Sequence, residues 1–404
     1  MSGTFRSFAI TAALAALLPG GLFAEGENPV ALKSRETADR EISTSLALEA
    51  RAAINRGTQW LLSKQQDGGH WSNPAFPALT ALPLWALAGA QCSNTQAIDR
   101  AVAYILSCVR ENGAIYREPD QPQKGGGLSN YNTAICMVAL HLTGRPDVNP
   151  VVLKARQFVA RSQHLGGDIY RGGMGYDEST GRPYTDLSNS YIAYEAMRMT
   201  EGAEDFRKKG EKKSDLNWNE ARAFVQRVHN DADFNTQTWA ASNIEDKGGF
   251  AYHPEQTRAG TTTNAEGVVT FRSFGSMTYA GLLSYIYAEV DRDDPRVKST
   301  VDWAVRHWTL EENPGTGMEG LFYFYNVLSK GLAAYGRDEF TKPDGQTFNW
   351  RTEFIKKMLS LQKTDEAGRG FWVNDVGRYW ESDPVLVTSY SLIALEVALG
   401  DAGK

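Results

Sequence analysis

The chain has 404 residues, 42% hydrophobic and 11% aromatic, and its 42 basic and 48 acidic side chains give a net charge of −6. The charges are interleaved rather than gathered in blocks, which excludes nucleic acid as a partner. Three cysteines are too few for a disulfide scaffold, although Cys92 and Cys108 flank one expected helix and could pair in an exported chain. Cys136 sits in an apolar stretch and reads as a small buried hydrophobe.

The first segment, Met1 to Ser7, carries Arg6 and is followed by the apolar run Phe8 to Phe23 and by Ala24 before Glu25. A basic start, a short greasy core and a small residue at a cut site predict a signal peptide over residues 1–24 and a secreted or periplasmic protein. Pro19, Gly20 and Gly21 interrupt the run, so membrane association of the mature chain would not come from a span. Residues 25–48 form an N-terminal extension, residues 49–400 the folded body and residues 401–404 a tail.

Six units fill the body. Each opens with an amphipathic stretch that carries an aromatic and a small aliphatic residue in sequence: Trp60-Leu61, Tyr104-Ile105, Phe158-Val159, Phe224-Val225, Trp303-Ala304 and Phe354-Ile355. A glycine turn ending in an aromatic residue follows, as in Gly69-His70-Trp71, Gly113 to Tyr116, Gly173 to Tyr176, Gly249 to Tyr252, Gly320 to Tyr323 and Gly370 to Trp372. The unit closes with a stretch nearly free of Lys and Arg, near residues 77–90, 129–144, 187–200, 275–290, 321–336 and 385–398. A helix neutral on most faces must be buried on most faces. The spacing therefore predicts an all-α fold, an (α/α)6 double-ring toroid of six inner and six outer helices, in which closure gives every unit two neighbours.

The first unit, Arg56-Gly57 through Trp60-Leu61 and Gln65 to Trp71, resembles the Gln-and-Trp repeat of squalene and hopene cyclases. Gly172 to Tyr176 with Asp186 to Ala193 is similar to the glycine-rich repeat of protein prenyltransferase β subunits. Gln362 to Trp372 with Tyr379 to Tyr390 repeats the theme, so the likeness covers most of residues 49–400. It implies the terpenoid cyclase-like ring, and it leaves the activity to the site, because fold and chemistry travel separately.

That resemblance implies two chemistries to test. The zinc of a protein prenyltransferase is held by an Asp-x-Cys pair and a His, but the residues two before the cysteines are Ala90, Leu106 and Ala134, and the six histidines lack ligand spacing. No metal and no cofactor is expected. The acid box of class II terpene cyclases has the letters of Asp291-Arg292-Asp293-Asp294, but here the run follows an inner helix and precedes Pro295, so it reads as a loop that caps the next outer helix.

The carboxylates that open inner helices, Asp186 and Asp383, are the candidate catalytic residues, with helix capping as the alternative reading of each. Asn130, Asn132, Asn189, Ser276 and Thr388, with Tyr279, Tyr323 and Tyr390, are candidate lining of the same pocket. Glu195 and Glu396, farther along two inner helices, would be buried acids that bond a neighbouring helix. Trp85, Tyr131, Tyr191, Tyr194, Tyr285, Tyr287, Phe324 and Tyr325 join the inner aromatic set, which either fills space or stabilises a carbocation. Two polar insertions, Glu201 to Asn217 and His253 to Arg272, read as solvated loops.

Three functions fit: an isoprenoid-binding or terpene-cyclase-like protein with a central ligand pocket, a non-catalytic binding or scaffold module, or a carbohydrate-active (α/α)6 enzyme acting on a glycan through paired carboxylates. A thioester domain is excluded, since no Gly-Cys-Gly-Glu-Gln run occurs.

Overall fold

The computed structural model of the protein describes residues 42–118, 127–178, 184–263 and 267–400. The expected signal peptide, residues 25–41 of the extension, the tail and part of the second insertion lie outside the described residues. Among the described residues about half are helical, with four short antiparallel strand pairs and no helix long and apolar enough to cross a membrane.

The helices follow the alternation expected of the units. In chain order they are α1 (Thr44–Lys64), α2 (Ala78–Gly89), α3 (Thr95–Leu106), α4 (Ser129–Leu142), α5 (Asn149–Arg161) and α6 (Leu187–Met199). The second half supplies α7 (Trp218–Val228), α8 (Gly275–Tyr287), α9 (Pro295–Arg306), α10 (Leu321–Tyr335), α11 (Trp350–Leu361) and α12 (Pro384–Leu399). Odd-numbered helices bury one stripe, and the aromatic-aliphatic pair of every one of them lies in that stripe. The even-numbered helices are buried nearly all round, as their composition requires.

Contacts among the even-numbered helices run in a cycle. Each of α2, α4, α6, α8 and α10 packs against the next even-numbered helix, and α12 packs back on α2. A glutamine of the repeat links neighbouring odd-numbered helices. Gln65 joins its own turn to α3 through the carbonyls of Gly69 and Ala97, at 3.0 and 2.8 Å. Gln362, in the last unit, instead donates to Ala53 of α1 at 2.9 Å and accepts from Arg56, so it ties the end of the chain to its beginning.

The N-terminal ends of the even-numbered helices are capped largely across unit boundaries, which satisfies amides that helix geometry leaves unpaired. Asn132 of α4 accepts from the Ala78 amide at 2.9 Å, and Asp177 accepts from Ser129 at 2.8 Å. Asn313 accepts from Ser276 at 2.9 Å, and Glu381 accepts from Phe322 and Tyr323. Only α6 and α12 use a side chain of their own, Asp186 and Asp383.

Glycine in the turns is required by close approach as well as by dihedral angle. A Cβ on Gly113, where φ is +90°, would lie 2.4 Å from the Lys154 carbonyl oxygen of α5, and Gly69 meets Arg100 of α3 in the same way. Gly113→Ala is therefore expected to destabilise the fold by about 2 kcal/mol, because both the left-handed strain and the contact must be relieved. Urea unfolding of the variant beside an Ala substitution at the open Gly144 gives the check: equal midpoints would remove the close-approach argument.

The two insertions are tied to the body. Arg156, nearly fully buried in α5, bonds Glu204 at 2.7 Å, the Met197 carbonyl, the Thr200 hydroxyl and the Ser214 carbonyl, and so fixes the first. In the second, Phe271 stacks on Trp239 with centroids 4.5 Å apart. The three cysteines are free thiols, and Cys108 is held at the Tyr104 carbonyl rather than paired with Cys92.

Candidate functional site

Asp186 has extended backbone at the start of α6 and no accessible surface. One carboxylate oxygen accepts from the Asn189 amide at 2.8 Å, and the other accepts from the Asn189 side chain at 2.8 Å. A hydrogen bond from Tyr252 and the charge of Arg258 also favour the ionised form. Burial outweighs them all and pushes the Asp186 carboxyl up to about 6.

Phenols gather around this acid. Tyr252 and Tyr176, which end two of the glycine turns, touch through their hydroxyls at 3.1 Å, and Arg258 lies 4.6 Å from the Tyr252 ring centroid. Tyr184 reaches Tyr252 as well, and the negative charge of Asp186 raises Tyr131, Tyr176, Tyr184, Tyr252 and Tyr323, secondary in each to burial. Two acceptors at this end of the helices, Asn130 Oδ1 and Asn189 Oδ1, are buried without a hydrogen-bond partner. The Asn130 amide nitrogen is fixed on the Gly175 carbonyl at 3.0 Å, so its oxygen points elsewhere.

Because Tyr252 donates to the charged form of the acid, Tyr252→Phe is expected to move the Asp186 titration upward from about 6, toward neutrality. Carbon-13 NMR of labelled Asp carboxyls reads the midpoint; a downward move would show that Tyr252 stabilises the neutral acid instead.

The second candidate acid, Asp383, is only half-buried. Its oxygens accept from the Val385 amide at 2.9 Å and from the Ser72 hydroxyl, so its observed partners are those of a cap that also joins the last unit to the first. Ser276 and Asn132 have frame partners throughout: Asn313 holds Ser276, and Asn132 also donates to the Gly127 and Leu128 carbonyls. Thr388 exchanges bonds with the Trp372 backbone. A hydroxyl likewise accepts from a turn amide at Thr80 with Trp71, Thr133 with Ile115 and Ser190 with Met174.

Tyr323 and Tyr390 pack edge to face with centroids 6.2 Å apart, and Tyr390 lies within hydrogen-bonding reach of Tyr131. Tyr279 packs on Phe324 at 5.8 Å. Glu195 is paired with Lys330 of α10 at 3.0 Å, and Tyr287 donates to it at 3.2 Å. Glu396 lies against Gly89, where a Cβ would meet its carboxylate.

The run Asp291 to Asp294 is on the outside. Asp291 and Asp293 are exposed, Asp294 caps α9, and Asp291 and Asp294 line an open cleft of about 430 Å³ with Arg222 and Arg296. The Arg296 hydrogen bond holds Asp294 below the usual carboxylate range, the reverse of what a proton donor to an alkene needs. Among the described residues, no group of three His, Cys, Asp or Glu side chains is placed to hold a metal ion.

Sequence reasoning missed Glu381, Lys330, Tyr184 and Arg258. Glu381 is fully buried, raised by burial, and bonds Asn374 at 2.7 Å. Lys330 carried a signal, a single cation in the middle of an otherwise neutral helix. Tyr184 and Arg258 belong to irregular segments whose approach to Asp186 no periodicity encodes.

No protein-family model and no curated protein sequence matches the chain. Among solved structures, it is similar to a variant of the type II terpene cyclase MstE from Scytonema, in complex with its substrate geranylgeranyl dihydroxybenzoate. The TM-score is 0.50 at 12% identity, over 89% of this chain and 100% of that one. The fold is terpenoid cyclase-like. A second MstE variant, in complex with the product merosterolic acid A, gives a TM-score of 0.49 at 11% identity, over 88% of this chain and 99% of that one.

Proposed function

We propose that the chain is an exported member of the squalene cyclase and prenyltransferase repeat superfamily, a closed (α/α)6 double ring whose inner helices surround a pocket for a small isoprenoid ligand. The cyclic packing of the even-numbered helices supports the ring. A hollow inside it is supported by Tyr131, Tyr287 and Tyr323, which are hemmed in by protein yet keep accessible surface.

Asp186 carries the functional reading. It is a fully buried acid, raised to about 6, at the mouth where the inner helices begin. In the proposed chemistry the protonated carboxyl adds its proton to a ligand double bond; the π pair forms the new C–H bond and leaves a cation on the neighbouring carbon. Tyrosine faces stabilise that cation, and loss of a proton from an adjacent carbon ends the step. Solvent re-protonates Asp186 along the Tyr252 and Tyr176 hydroxyls.

The test is incubation of the purified full chain with prenyl alcohols and diphosphates. Cyclised or isomerised product is expected from the native chain and from Asp383→Asn, and is expected to vanish in Asp186→Asn. Product that persists in Asp186→Asn removes the acid's role.

The non-catalytic binding module has one observation of its own, the Glu195–Lys330 pair, which places two charges inside the ring where a long hydrocarbon would have to lie. A glycosidase reading needs a second acid beside Asp186, and Asp383 is instead turned to Ser72 of the first unit.

A further inference from the structure

The repeat that builds the units also staples them together. Gly69, Gly113, Gly172 and Gly248 each lie where a Cβ would clash with a backbone carbonyl of the next odd-numbered helix, at Arg100, Lys154, Glu220 and Ser299 in turn. Seven residues further along stand Ser107, Arg161, Arg227 and Arg306, two turns on and so on the same flank. Three of these are arginines that reach back across the unit boundary to the carbonyl just before the turn glycine. Arg161 donates to Asn112 at 2.9 Å, Arg306 to Lys247 at 2.7 Å, and Arg227 to Arg171. Each guanidinium spans the groove between two units. Ser107 is too short to do so, and its hydroxyl donates to the Tyr104 carbonyl of its own helix at 2.6 Å.

At Ser107 the groove is an open cleft of about 500 Å³. One wall is a face of α3 and its end, where Arg100, Ala103, Tyr104 and Ser107 recur at helical spacing. The Tyr104 hydroxyl is fixed on the Pro74 carbonyl, and its ring lies 5.3 Å from that of His70. The Arg117 guanidinium stands 5.3 Å from the Tyr104 ring centroid and 3.5 Å from the Ser107 hydroxyl, and Arg100 donates to the Gln65 side chain. Among the described residues neither arginine pairs with a carboxylate, and Asp67 is the one acid of the lining. The cleft of about 430 Å³ is built the other way: Asp294 holds Arg296 there, and Glu289 and Asp291 add further negative charge.

Two like charges facing one cleft are relieved by an anion that enters it. Guanidinium forks match the oxygens of a phosphate, and the Ser107 hydroxyl is a further polar group beside them, more than the two oxygens of a carboxylate can use. Ala103, Pro74 and the edge of Tyr104 offer apolar surface to whatever the phosphate esterifies, in a cleft of the size that small ligands fill. We infer that this cleft is a binding site for a compact organic phosphate, held by Arg100, Arg117 and Ser107 beside Tyr104, and that the exchange of one stapling arginine for Ser107 is what opens it. The site lies between the first two units, and nothing in it depends on the chemistry proposed for Asp186.

The experiment is calorimetric titration of the full chain with benzyl phosphate, inorganic phosphate and phenylacetate. Benzyl phosphate is expected to bind saturably, at least tenfold tighter than either of the others, and more weakly as salt is added. Arg117→Gln is expected to lower that affinity at least fivefold. Ser107→Arg, which restores the side chain of the three stapled units, is expected to fill the cleft and abolish binding in a chain that still folds. No saturable binding of benzyl phosphate to the native chain, or binding no tighter than that of inorganic phosphate or phenylacetate, overturns the site. Undiminished binding to Ser107→Arg overturns it as well, and if that variant does not fold, undiminished binding to Arg117→Gln does so in its place.

Discussion

Lys330→Met alone is expected to lower the unfolding free energy by about 3–5 kcal/mol, because it leaves the Glu195 carboxylate buried with no ammonium beside it. Tyr287 remains as a donor, but one neutral hydroxyl does not replace a charge. Lys330→Met/Glu195→Leu, which removes both charges and restores apolar volume, is expected to recover most of that loss, since well-packed hydrophobic replacements of buried pairs are often neutral or stabilising. Denaturant unfolding of the two variants separates the cases. Equal losses in the single and double variants would mean that packing of Lys330 over the Trp85 ring, and not the uncompensated carboxylate, is what matters.

Asp186→Asn carries the second large effect, and its sign depends on pH. The folded-state value of about 6 lies above the 3.8 expected of the unfolded chain, so the folded protein binds the proton more tightly. The stability linked to this group is fully present below about pH 4 and is lost as pH rises through about 6, a loss of about 3 kcal/mol at neutral pH. Asparagine mimics the neutral acid, and the unpartnered Asn189 oxygen can accept from its amide if the Asn189 side chain turns over. The variant is therefore expected to be more stable than the native chain at pH 7, by up to about 3 kcal/mol, with the difference shrinking toward pH 4. Thermal unfolding across that range reads both slopes. A variant less stable than the native chain at pH 7 would show that the ionised carboxylate, through its bonds to Asn189, is the form the fold requires. A gain in stability joined to a loss of activity is the pattern of a group retained for chemistry.

The fold was largely legible in the sequence because its signals are local and repeated. An aromatic-aliphatic pair, a glycine turn and a neutral stretch recur in six units, and the neutral stretches near 129–144 and 321–336 became α4 and α10 with their starting residues unchanged. Gln65, Gly69 and Trp71 were visible as a motif, and the structure gives them separate tasks: a staple between units, a turn that no Cβ allows, and a plug under α2.

The site was legible only in part. Asp186 could be picked out because an acid before Leu187 in a neutral stretch has to open a helix, and Asp383 could be picked out in the same way. What sequence cannot say is which of two similar caps is dry. Asp186 is covered by turn-borne Tyr252 and Tyr176, whereas Asp383 meets Ser72 at a half-open edge. Asn132 and Ser276 sit in first turns, but capping across unit boundaries engages their polar groups, a demand that comes from neighbours far away in sequence, and Thr388 is engaged by the Trp372 backbone in the turn of its own unit. The Glu195–Lys330 pair was out of reach for the same reason, since it joins positions 135 residues apart.

The central claim, that Asp186 delivers a proton to an isoprenoid held at the ring mouth, is tested most directly in deuterium oxide. A prenyl alcohol incubated with the full chain and recovered for mass analysis should carry solvent deuterium on carbon after reaction with the native protein, with a rate that falls as pH rises through about 6. It should carry none after reaction with Asp186→Asn. Equal incorporation by the two proteins, or a rate that rises through the same pH range, would contradict the account.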